Sequence, residues 1–153
     1  MRYAAAMTEF EAELTRMRDG MATAREALLA VLSVLPDDDL ARGRRGGWTV
    51  AEVLKHVIVS EIAYARVVAH LRGVSIDIAG ADDVATAAAA IDALAASRRA
   101  LLTAVDGVDE ATFYDLRAVG HDQYSVLSVL ENAEAHDHEH AGQIAKLLAA
   151  PSS

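Results

Sequence analysis

SVLSVLENAEAHDHEHAGQIAKLLA, residues 125–149, carries Val126, Val129, Ala133, His136, His140, Ile144 and Leu147 at steps of three and four. At 3.6 residues per turn these positions form one stripe along a helix, and Pro151 lies just past its end. The stripe is apolar except in its middle, where two histidines take places expected of core residues. His136 and His140 lie only about 40° apart around the axis, so one divalent ion can reach both rings. His138 lies about 200° round from them and reads as facing solvent.

The same periodicity extends through most of the chain. Phe10, Leu14, Met17, Met21, Ala24, Leu28, Val31 and Leu35 define a first helix, with Thr8 and Glu11 spaced as a capping box and Pro36 ending it. A second helix starts at Thr49, with Glu52 three residues on, and runs to about Leu71, before Gly73. Its wide stripe of Val50, Val53, Leu54, Val57, Ile58, Ile62, Val67 and Val68 suits a helix with two neighbours. A third helix is expected from about Asp82 to Val105, through an alanine-rich stretch and then Ile91, Leu94, Leu101 and Leu102. Residues 106–124 read as irregular. Four such helices predict an all-α protein, a four-helix bundle, with residues 1–153 forming a single domain.

Composition narrows the function. The 153-residue chain has no cysteine, which excludes disulfides, thiolate ligands and a thiol nucleophile of its own. Its net charge of -9 argues against a nucleic-acid surface. Arg42, Arg44 and Arg45 form a local exception among Gly43, Gly46 and Gly47, and read as a solvated loop. MRYAAAMTEF lacks a secretory apolar region and no apolar run approaches membrane-spanning length, so a cytoplasmic protein without membrane contact is expected. An alanine-rich bundle with a spare apolar stripe is compatible with a homodimer.

Two inward imidazoles need partners, because an unsatisfied buried polar group costs about 1–3 kcal/mol. A shared metal meets that need; so do solvent and hydrogen bonds, in which case the pair is incidental. A third inward histidine on another helix would favour the metal, and His56, at the edge of the second stripe, is the candidate. His70 and His121 read as surface residues. Helical spacing places Ser60, Tyr64, Asn132 and Gln143 near the histidines, with ordinary helix polarity as the competing reading for each. Glu52 reads as a cap, and Trp48 as packing the start of the second helix. No carboxylate stands out as a general base.

GWTVAEVLKHV at 47–57, SRRALLTAVDGVDEATF at 97–113 and HDHEHAGQI at 136–144 together resemble the DinB superfamily of bacterial four-helix-bundle proteins, which includes YfiT-like metal-dependent hydrolases and thiol-dependent transferases. The resemblance covers nearly the whole chain. It implies a metal held by one histidine of the second helix and the HxxxH pair of the fourth, which are His56, His136 and His140 here. Three neutral histidines suit zinc, nickel or ferrous iron. Such a site can polarise a substrate, activate water, or direct an exogenous low-molecular-weight thiol at an electrophile. The expected function is therefore a metal-dependent hydrolase of a small substrate or a thiol transferase. A non-catalytic metal or small-ligand binder and a structural or interaction protein are the alternatives.

Overall fold

A computed structural model describes residues 5–151. Helix α1 spans Glu9–Ser33, α2 Val50–Arg72, α3 Ala87–Val105, α4 Glu110–Tyr114 and α5 Val126–Ala149. A 3-10 turn occupies Asp37–Ala41, and a two-stranded antiparallel hairpin pairs β1 (Arg117–Val119) with β2 (Asp122–Tyr124). The four long helices make the bundle. Thr8 with Glu11 and Thr49 with Glu52 form the expected capping boxes, and Ser125 caps α5 through Ser128. No described helix is long and apolar enough to cross a membrane.

The core falls into two halves. One unites Leu28 and Leu32 of α1, Val50–Ile62 of α2, Ala87–Leu94 of α3 and Ala141–Leu147 of α5. The other unites Met17 and Met21, Ala65–Leu71, Leu101–Val105, Phe113 and Val126–Ala133. The amino-terminal halves of α2 and α3 thus share one end of the bundle with the carboxyl-terminal halves of α1 and α5. Helices α2 and α3 are parallel to each other and antiparallel to α1 and α5.

That topology corrects the expected start of α3 at Asp82. Parallel neighbours need a connection that returns along the bundle, here about 30 Å for helices of this length. Residues 74–86 reach a little over about 40 Å when extended, and winding 82–86 into helix would leave too little chain. Helix α3 instead begins at Ala87, where the Thr86 side chain accepts from the Ala89 N–H and Asp37 Oδ1 accepts from the Ala87 N–H at 2.9 Å. Lys55 pairs with Asp83 and ties the crossover to α2. The stretch 106–124, read as irregular, holds α4 and the hairpin. Neither element is long enough to show a periodicity, and Gly120, at φ 64°, supplies the left-handed residue of the tight turn.

Candidate metal centre

Two capped helices bring the three histidines together. His56 lies in the second turn of α2, while His136 and His140 lie on the face of α5 that packs against it. His136 Nε2 is 3.0 Å from His56 Nε2 and 2.9 Å from His140 Nε2. One ligand atom from each ring falls within 4.8 Å of the others, with His140 buried and the other two half-buried. Tetrahedral coordination at about 2.0–2.1 Å sets nitrogens about 3.4 Å apart, so a small adjustment of the rings would admit an ion.

Proton bookkeeping favours a cation there. Gln143 Oε1 lies 2.6 Å from His140 Nδ1. A carbonyl oxygen accepts only, so Nδ1 carries the proton and the neutral ring presents a bare Nε2 lone pair to the cluster. His136 Nε2 can donate to one neighbour or accept from one, but cannot serve both as a full hydrogen-bond partner. A metal ion would satisfy all three lone pairs at once, and Gln143 would then be the outer partner that orients the His140 imidazole. The donor set fits the group.

The mouth of the site is built by the loop before α2. Gly43 pairs with Thr49 in an isolated bridge, and a Cβ on Gly43 would lie 2.8 Å from the Trp48 carbonyl oxygen, so only glycine permits that approach. The bridge sets Trp48 against His56, ring centroids 4.9 Å apart and tilted by 56°. Trp48 packs the start of α2, as expected, through this contact with His56, and stays 48% exposed. Trp48, His56, His136, Glu139, His140, Gly142, Gln143 and Lys146 enclose an open hollow of about 630 Å³.

Of the residues placed near the histidines by spacing, Gln143 contacts His140 and lines the hollow, and the Tyr64 ring meets His136 edge-on at 6.1 Å between centroids. Ser60 and Asn132 do not line it, and Glu52 is engaged in its cap. His70, His121 and His138 are exposed. Glu139 lines the hollow but did not stand out from the sequence, where it is one more acid on a polar helix face.

Burial, then the proximity of His140, holds His56 below the ordinary imidazole range; burial, then His140 and His56, does the same for His136. Both rings are therefore neutral and able to ligate at pH 7. A folded-state pKa below the unfolded value means that the folded protein binds fewer protons between the two. Stability is then present above the unfolded pKa and lost as pH falls through and below about 6.5. Thermal melts of metal-free protein are expected to show Tm falling from about pH 7 to about pH 5.5, with a shallower slope in His136→Gln. A wild-type profile flat or rising on acidification across that window would contradict the assignment.

Between the two apolar halves lies a belt of buried charge, one group or more from each long helix. Arg25 donates from Nε to Asp137 Oδ2 at 2.8 Å, from one terminal nitrogen to Glu61 Oε2 at 2.9 Å and from the other to the Leu94 carbonyl at 2.8 Å. Arg98 repeats the bridge, reaching Glu61 Oε2 and Asp137 Oδ2, each at 2.9 Å, and the Ser97 hydroxyl donates to Glu61 Oε1 at 2.7 Å. Burial works against the Arg25 charge, yet its hydrogen bonds and the charges of Asp137 and Glu61 leave its pKa raised. Among the described residues no buried side-chain polar atom lacks a partner. Glu61 follows His56 on α2 by five residues and Asp137 follows His136 directly, so the belt sets the relative height of the ligand-bearing helices.

Comparison with known proteins agrees with this architecture. The family model described as DinB superfamily matches residues 21–144. A DinB-like protein from Bacillus cereus ATCC 10987 superposes with a TM-score of 0.71 at 17% identity, over 86% of this chain and 88% of its own. TT2238, a four-helix bundle protein, superposes with a TM-score of 0.67 at 23% identity, over 86% of this chain and 98% of its own. At such identities the two structures speak to the fold alone. No curated protein matches the chain.

Proposed function

The chain belongs to the DinB superfamily, and we propose that it is a metal-dependent enzyme that holds one divalent ion on His56, His136 and His140. The reaction is hydrolysis of a small substrate or transfer of a low-molecular-weight thiol to an electrophile. The observation that carries this reading is the convergence of three imidazole nitrogens from two helices on one point at the edge of an open hollow. Zinc, nickel or ferrous iron suits three neutral nitrogens. When bound with positions left open, the ion supplies Lewis acidity and lowers the pKa of a coordinated water or thiol.

The protein residues supply the rest. His140 is oriented by Gln143, and His56 is braced by Trp48. Glu139 lines the same hollow and is the carboxylate placed to take a proton from a nucleophile. With no cysteine in the chain, a thiol nucleophile must come from outside. That requirement matches an open rather than an enclosed site.

Elemental analysis of purified protein should find stoichiometric metal that is absent from His56→Ala. Metal-loaded protein should turn over in a panel of esters, amides and thiol conjugations. Glu139→Gln should retain the metal while losing about 10²–10⁴-fold in rate. Turnover that survives in His56→Ala would sink the enzymatic reading. Stoichiometric metal with no turnover anywhere in the panel would favour a binding protein.

A further inference from the structure

The hollow around the histidines adjoins a second, of about 190 Å³, lined by Arg44, Gly47, Trp48, Gln143, Lys146 and Leu147. The two share three walls: Trp48, Gln143 and Lys146. The shared wall is cationic and aromatic in a chain whose net charge is -9. Lys55 is held by Asp83, and Arg42 is directed to the Ala150 carbonyl at 2.7 Å. Among the described residues, Lys146 and Arg44 make no ion pair within 4.0 Å with a carboxylate, and both face these hollows. Neither is needed for the fold, since both are exposed.

We propose that this second hollow is the recognition end of the site and takes the carboxylate of a small planar organic acid whose other end reaches the histidines. The inference rests on the metal-site reading above and adds the class of substrate. Lys146 and Arg44 supply the charge, and the exposed Trp48 ring, which lines the hollow, supplies a flat wall for a conjugated or aromatic body. Gln143, its carbonyl engaged by His140, has its amide N–H groups left as donors. Glu139 fixes the polarity of binding. It lies seven residues before Lys146, about 10 Å along the helix, and repels a carboxylate placed at the opposite end.

Trp48 is the only tryptophan in the sequence, so its fluorescence reports on this wall alone. Zinc-loaded protein, with zinc content measured on the same sample, would be titrated with benzoate and with benzamide, its neutral isostere. Benzoate should quench Trp48 saturably at millimolar or lower concentration, and benzamide at least about tenfold more weakly. Lys146→Gln combined with Arg44→Gln should weaken benzoate by about tenfold or more while leaving zinc content and the thermal melt unchanged.

Coordination of the carboxylate to zinc alone would leave that variant's affinity at the wild-type value and overturn the proposal. Equal binding of benzoate and benzamide, or no quenching by benzoate up to about 10 mM, a threshold near the weak end of ligand affinities, would overturn it too. A sample that takes up no zinc would instead count against the metal centre, and the metal-free protein titrated in parallel then decides the anion site separately.

Discussion

Arg25→Met should cost about 3–5 kcal/mol of folding stability, because it leaves the two buried carboxylates Glu61 and Asp137 with Arg98 as their only remaining guanidinium. For a domain whose total is about 5–15 kcal/mol, that is a large share of the whole. Asp137→Asn should cost a similar amount for the mirror reason, since two arginines would then share one carboxylate. Urea unfolding followed by circular dichroism reads both, with the midpoint moving and the slope held. The double variant Arg25→Met with Asp137→Leu should lose less than the sum of the single losses, because it removes opposite charges together. Strictly additive losses, or single variants within about 0.5 kcal/mol of wild type, would show that the belt is more hydrated and weaker than its geometry implies.

What the belt contributes beyond stability follows from where it lies. Apolar halves tolerate sliding, since one leucine can replace another against a smooth neighbour. Four charges at one height do not. Moving α5 by one turn, about 5.4 Å, would pull Asp137 from both guanidiniums and bury it among Met21, Ala65 and Leu101 or among Leu28, Ile58 and Leu94 of the other helices. His136 and His140 are thereby held level with His56. The belt therefore bears on the geometry of the histidine cluster without touching it.

The sequence makes the helices and the histidines legible for the same reason: both are local or periodic. Thr8 with Glu11 and Thr49 with Glu52 announce helix starts within four residues, and the structure forms both boxes. The histidines stand out by falling on apolar stripes. The belt leaves the same trace but is not legible from it. Arg25 lies between Met21 and Leu28 on the first stripe, Glu61 between Val57 and Ala65, Ser97 between Leu94 and Leu101, and Asp137 between Ala133 and Ala141. Each alone reads as one polar interruption. Only their common height, which depends on α2 and α3 being parallel, turns four interruptions into one network. That parallel arrangement is also what placed the start of α3 at Ala87, since the length of the crossover is set by the bundle and not by helix propensity. That Trp48 meets His56 in particular is not legible for a related reason, because the Gly43–Thr49 bridge that aims it involves residues whose pairing has no periodic signal.

Adding zinc to metal-free protein should raise Tm by about 5–10 °C, and excess chelator should reverse the rise. The magnitude follows from linkage: an ion at a hundred times its Kd contributes about 2.7 kcal/mol, and a domain of this size gains about 2–4 °C per kcal/mol. His56→Ala should abolish the response, and so should His140→Ala, because two nitrogens remain where three converged. His140 is buried, so its loss also lowers the metal-free baseline; the diagnostic quantity is therefore the difference between loaded and metal-free melts for each variant. His138→Ala is the control, being exposed on α5 and outside the cluster, and should leave the zinc response intact. A wild-type melt indifferent to zinc and chelator, in protein verified as metal-free at the outset, would mean that the three rings satisfy one another and that the convergence is structural. An equal loss in His138→Ala and His56→Ala would point instead to zinc held loosely by surface histidines. The geometry predicts neither outcome, because His138 turns away from the point on which His56, His136 and His140 meet.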